Sequence, residues 1–113
     1  MTREEILGKA EECVCGQRVT DYGKPEDNFE RIAKLWNAYL YSPLTSLLNI
    51  PLLSAKDVAI MMALLKIARI KSGNGSDDCY VDLAGYAACA GEIAERERNA
   101  DRIEAERIEV EKE

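Results

Sequence analysis

Apolar residues recur along the chain at helical spacing in several separate stretches, and the punctuation between them sets the predicted elements. Ile6, Leu7, Ala10, Cys13 and Val14 form the first stripe. Thr2 with Glu5 three residues on is a capping-box signature ahead of it, and Gly16 is a stop, so the first helix is expected over roughly 3–15. Residues 17–24, with Asp21-Tyr22-Gly23, read as a turn in which Gly23 can take a positive φ. Pro25 suits the first turn of a second helix, with Glu26 and Asp27 at the favourable end of its dipole. Phe29, Ile32, Ala33, Trp36, Tyr39 and Leu40 give that helix one apolar face.

A connection with Pro43 and Pro51 follows, rich in leucine over 44–53. Its Leu47, Leu48, Ile50 and Leu52 should pack on the core or on a partner. Ser54 with Asp57 opens a third helix, in which Val58 to Leu65 is apolar on every side, the pattern of a central buried helix. It turns polar at Lys66, Arg69 and Lys71, and Ser72-Gly73-Asn74-Gly75 ends it. Ser76 is expected to cap a fourth helix, whose Val81, Ala84, Ala88 and Gly91 offer a small-residue face. From Glu92 to Glu113 there are nine acidic and five basic residues, with Ile93, Ala100, Ile103 and Val110 at heptad-like positions. This is a charged helical or frayed tail. The expected fold is all-α: four main helices around a central apolar one, a helical domain over 1–94 and a tail over 95–113.

Composition narrows the chemistry. The 113 residues include no histidine, which excludes His-based triads, His general bases and His-ligated zinc. The net charge of −6 argues against a DNA-binding or anionic-membrane surface. Cys13, Cys15, Cys79 and Cys89 lack the C-x-x-C spacing and read as reduced thiols. No apolar stretch approaches the roughly 20 residues of a membrane helix, and no signal-peptide pattern is visible, so a cytoplasmic location is expected. A Leu-rich loop, a small-residue face and an all-round apolar helix exceed what one small globule covers, which predicts a homo-oligomer.

Two carboxylate pairs stand at helical spacing, Glu26 with Glu30 and Asp78 with Asp82. Set face to face they would make an oxygen-only cage of the kind Mg²⁺ favours. The alternative is first-turn placement for Glu26, Asp27, Asp77 and Asp78 and a one-turn pair of Glu30 with Lys34; only Asp82, between Val81 and Leu83, escapes it. Lys66 and Arg69 share a face, and are either a phosphate clamp or ion-pair partners for Asp78 and Asp82.

Asp21-Tyr22-Gly23-Lys24-Pro25-Glu26-Asp27-Asn28-Phe29-Glu30-Arg31-Ile32-Ala33 with Trp36, then Leu65-Lys66-Ile67-Ala68-Arg69, then Tyr80-Val81-Asp82-Leu83-Ala84-Gly85-Tyr86-Ala87-Ala88 resemble, in order, the motifs of a small phage and prophage family of unknown function. The same outline is similar to phage nucleotide-modification-associated domains and, more distantly, to MazG-like all-α nucleoside triphosphate pyrophosphohydrolases. These resemblances imply an oligomeric, Mg²⁺-dependent nucleotide site. Glu26, Glu30, Asp78 and Asp82 would hold the metal, with Glu30 and Asp82 catalytic. Lys24, Lys66, Arg69, Tyr22 and Asn28 would bind the nucleotide. The MazG-like pattern is E-E-x-x-E followed by E-x-x-D; here Glu26-Asp27-x-x-Glu30 is followed, much further on, by Asp78-x-x-x-Asp82. Three functions stand open: a nucleotide pyrophosphohydrolase, a non-catalytic binder that sequesters a nucleotide or nucleotide signal, and a structural adaptor.

Overall fold

A computed structural model describes residues 1–43, 47–73 and 75–113. It is all-α. Among the described residues the elements are α1 (Arg3–Cys15), α2 (Gln17–Tyr22), α3 (Pro25–Leu40), α4 (Ala55–Lys71) and α5 (Asp77–Lys112). The long helices start where the sequence signals them. Thr2 Oγ1 accepts from the Glu5 amide at 3.1 Å and the Glu5 carboxylate accepts from the Thr2 amide at 3.4 Å, a complete capping box. Ser54 and Asp57 repeat it on α4, at 3.2 and 2.9 Å. Pro25 opens α3. Ser76 stands at the N-cap of α5, but its side chain makes no capping bond; Asp77 and Asp78 are the features of that end that suit the dipole.

Residues 17–22, expected as a turn, form the short helix α2. Gly16 breaks α1 for one residue while its amide still donates to the Glu12 carbonyl at 2.9 Å, and the chain resumes its helix at once. Gly23 then ends α2 with φ +86° and ψ 173°, a region essentially reserved for glycine.

The core is built from Phe29 and Ala33 of α3, Val58 and Ala59 of α4 and Cys89 of α5, with Val14, Ile32, Trp36, Met62 and Tyr86 packed around it. Phe29 and Tyr86 meet at 5.9 Å between ring centroids, tilted by 50°, within the separation at which aromatic pairs attract. The third predicted helix, α4, does lie between α3 and α5. It is not buried on every side. Ile60, Met61, Leu64, Leu65 and Ile67 are exposed, so Leu64 and Leu65 are not core positions of the single chain. The reason is geometric: α3 and α5 cover the arc through Val58, Ala59 and Met62, and no further helix lies over the opposite arc among the described residues.

The small-residue face of α5 is one step from the expected one. Val81, Gly85 and Cys89 are buried, whereas Ala88 and Gly91 are exposed. Gly85 matters because a Cβ there would come within 3.2 Å of Val14 Cγ1, so its absence lets α1 lie close on α5. In the connection, Leu47, Leu48, Ile50 and Leu52 are exposed rather than on the core; Leu44, Thr45, Ser46 and Asn74 lie outside the described residues. The connection is tied back at its end. Asn37 Nδ2 donates to the Leu53 carbonyl at 3.0 Å, and the Leu53 amide donates to Asn37 Oδ1 at 2.9 Å.

The tail is helix without interruption to Lys112. Its last ties to other elements are Arg96 to Glu26 at 3.3 Å and Lys56 to Glu97 at 2.8 Å. Beyond them the described ion pairs, Arg102 with Glu106 and Arg107 with Glu104 and Glu111, are within the helix. The radius of gyration is 17.6 Å, against about 13 Å for a compact chain of this length, because this rod projects from the bundle.

Candidate functional site

Where α1 and α2 fold across the N-terminal halves of α3 and α5 they leave a cleft of about 900 Å³. Each element brings distinct chemistry to it. Lys9 and Glu12 come from α1, Arg18 and Tyr22 from α2, Asn28 and Phe29 from α3, and Asp78, Asp82 and Tyr86 from α5. The buried lining of the cleft is apolar, through Phe29 and Val81, whereas Lys9, Glu12, Arg18 and Asp78 are exposed.

The lip at Tyr22 is assembled by local contacts. Arg18 and Tyr22 are four apart on α2, and the Arg18 guanidinium carbon lies 5.3 Å from the Tyr22 ring centroid, within cation–π range. Gln17 Nε2 donates to Asp21 Oδ1 at 3.0 Å on the same turn of helix. Asn28 Nδ2 donates to the Tyr22 carbonyl at 3.3 Å, across the Gly23 turn. Asn28 thus positions the turn that presents Tyr22; its Oδ1 faces Arg31 at 3.5 Å.

On the opposite helix, Asp78 and Asp82 share a face of α5, and both line the cleft. Asp82 Oδ2 lies 3.1 Å from Lys66 Nζ. Lys66 is the more enclosed partner, its side chain 13% exposed against 38% for Asp82.

The cleft therefore gathers Tyr22, Asn28, Asp78 and Asp82, with Lys66 joined to it through Asp82. The remaining sequence-predicted site residues are elsewhere. Lys24 is exposed at the N-cap of α3, and Arg69 is exposed near the end of α4, where its carbonyl accepts from Ser72 Oγ at 2.9 Å. Glu26 pairs with Arg96, which also holds Glu92 at 3.1 Å. The two carboxylates hold the Arg96 pKa above its ordinary value, the Glu26 hydrogen bond most of all. Glu30 is exposed, with Lys34 at 4.0 Å. Among the described residues no three cysteine or carboxylate side chains come together as metal ligands. Glu26 and Glu30 are thus not brought to Asp78 and Asp82 as the cage required.

Sequence reasoning did not pick out Lys9, Glu12 and Arg18. The Arg18–Tyr22 spacing of four is the available signal, and the turn expected over 17–22 hides it.

Residues 5–94 match the family described as a domain of unknown function, DUF6378. The chain belongs to that family. The match ends at residue 94, shortly before the last ties of α5 to other elements at Arg96 and Glu97. The chain is also 46% identical over 86 residues to the Gene 55 protein of Mycobacterium phage L5, covering 73% of this chain and 47% of that protein. It is 38% identical over 92 residues to the Gene 55 protein of Mycobacterium phage D29, covering 81% and 55%. This DUF6378 chain thus spans about half the length of the curated phage relatives it matches. No solved structure matches it. No helix among the described residues is long and apolar enough to cross a membrane.

Proposed function

We propose that this DUF6378 protein is a nucleotide-handling protein that binds a nucleotide or nucleotide-derived small molecule in the cleft, without hydrolysing it. The observation that carries the reading is the placement of the Arg18–Tyr22 stack in one cleft with Asp78 and Asp82. An exposed aromatic ring backed by a guanidinium offers a face for a base. Lys9 and Arg18 offer charge for a phosphate, and carboxylates accept from sugar hydroxyls or exocyclic amines. A volume of about 900 Å³ is of the size that small-molecule sites take.

The MazG-like resemblance read from the sequence would imply Mg²⁺-dependent cleavage, and the donor set does not fit that metal. Mg²⁺ needs hard oxygen ligands converging on one point. Of the four carboxylates, Asp82 is joined to Lys66, Glu26 to Arg96 and Glu30 to Lys34, three cations in different places, and Asp78 alone does not make a ligand set. Binding is therefore the better supported activity.

The test is thermal stability in the presence of nucleoside mono-, di- and triphosphates and cyclic nucleotides, each with and without Mg²⁺. A ligand at about 100 times its Kd adds about 2.7 kcal/mol, which raises the Tm of a domain this size by roughly 10 °C or more. The expected result is stabilisation by at least one nucleotide without metal, lost in Arg18→Ala and Tyr22→Ala. Release of pyrophosphate or phosphate that requires Mg²⁺ would restore the hydrolase reading. No response to any nucleotide would leave an adaptor role for the exposed leucines and the tail.

A further inference from the structure

We infer that α4 is a self-association surface on which a second copy of the chain packs antiparallel, with the two-fold axis at Leu64. Five large apolar side chains, Ile60, Met61, Leu64, Leu65 and Ile67, are 39–58% exposed on one side of this helix. Ile60, Leu64 and Ile67 are spaced four and three apart, and Met61 and Leu65 form the adjoining row. No charged residue interrupts the stretch from Val58 to Leu65. The exposed side of α1 and the projecting end of α5 are, by contrast, dense in charge, with exposed apolar residues such as Leu7, Ile103 and Val110 set among charged neighbours.

The ends of the strip identify the occupant. Asp57, Ile60, Leu64, Ile67 and Lys71 follow one another at spacings of three, four, three and four, a heptad seam along one face. The seam carries an acid at one end, a base at the other, and both lie seven residues from Leu64. Two such helices packed antiparallel about Leu64 place Asp57 of one copy opposite Lys71 of the partner, twice. Ile60 then meets Ala68 and Met61 meets Ile67. A parallel pair would set acid on acid and base on base, a costly juxtaposition. Antiparallel packing also opposes the two helix dipoles favourably. The seam is thus complementary to itself, which is the condition for an isologous dimer.

The size agrees with a reversible dimer. Five side chains about half exposed present roughly 350–400 Å² of apolar surface, at the scale of patches that mark interaction sites. Ile50 and Leu52, in the segment that leads into α4, are exposed as well. The total stays at the low end of specific interfaces, so dissociation on the order of micromolar is expected.

Sedimentation equilibrium of the full chain at tens of micromolar tests this. The wild type is expected to be a dimer whose dissociation constant rises with salt. Leu64→Arg should weaken it by about a hundredfold or more while the helical circular dichroism is kept. Lys71→Glu, at an exposed position in the last turn of α4, should weaken it by roughly threefold to tenfold by turning two attractions into repulsions. A monomeric wild type overturns the proposal. So does a dimer indifferent to Leu64→Arg in a folded variant. If Leu64→Arg does not fold, Lys71→Glu decides: an unchanged or tighter dimer overturns the antiparallel seam.

Discussion

Lys66 Nζ reaches Asp82 Oδ2 at 3.1 Å and joins the end of the most apolar helix to the acidic wall of the cleft. The pair is unequal, with the lysine enclosed and the carboxylate partly open to water. Removing the carboxylate strands the less solvated charge. Asp82→Asn, which keeps the shape, is expected to cost about 1–2 kcal/mol, below the 3–5 kcal/mol of a fully buried pair because Asp82 is partly solvated. Lys66→Met should cost less, since the remaining carboxylate can be hydrated. Urea denaturation of both variants checks the order. Equal costs would show that the pair is as screened as a surface one.

Gly23 is the hinge of the lip. At φ +86° and ψ 173° it occupies backbone space that costs any other residue about 1–3 kcal/mol. Nothing lies within 4 Å of a Cβ built there, so the cost of Gly23→Ala is purely conformational. The variant should lose that stability and weaken ligand binding together, because the turn it strains carries Tyr22. Asn28→Ala, which removes the bond to the Tyr22 carbonyl, should weaken binding with a smaller loss of stability. Binding isotherms beside denaturation curves separate the two effects.

Asn37 stands in for a strand partner. Its amide meets both the N–H and the C=O of Leu53, and holds the long connection against α3. Asn37→Ala leaves two backbone groups without that partner and is expected to cost about 1–3 kcal/mol. Asn37→Asp keeps the acceptor and loses the donor, and sets a carboxylate against the Leu53 carbonyl, so it should be no better. Limited proteolysis should cut both variants faster than the wild type within 41–53.

Helix starts were legible because caps are local: Thr2 with Glu5, Ser54 with Asp57 and Pro25 each announce themselves within four residues. The all-α class and the place of α4 between its neighbours followed from periodicity alone. What periodicity does not carry is the rotation of one helix against the next. That rotation decides that Gly85 and Cys89, rather than Ala88 and Gly91, face α1 and α3. It also takes Glu26 to Arg96 of α5 and leaves Glu30 with its own-helix neighbour Lys34, instead of turning both toward Asp82. Lys66 and Asp82 were readable as ion-pair candidates because each was a charge set in an apolar stretch. Arg18 was not, because one glycine between two helices looked like the end of helical structure.

Cys89 supplies the pH prediction. Its burial, with smaller contributions from the charges of Glu26 and Glu92 and from Cys15, pushes the thiol pKa from 9.0 to about 11. Folding thus favours the protonated thiol. Below pH 9 the thiol is protonated in both states and stability is insensitive to it. As pH rises from 9 toward 11 the unfolded chain loses the proton first, so stability falls, by about 2–3 kcal/mol in all from this group. Cys89→Ala should be less stable at pH 7, through the small cavity it leaves, yet show a shallower decline between pH 9 and 11. Chemical denaturation at pH 7, 9 and 10.5 measures both. In the native wild type at pH 8, the exposed Cys13 and Cys15 should react with iodoacetamide while Cys89 does not. Alkylation of Cys89 as fast as its exposed neighbours would show that the contact between α5 and the core opens in the native state.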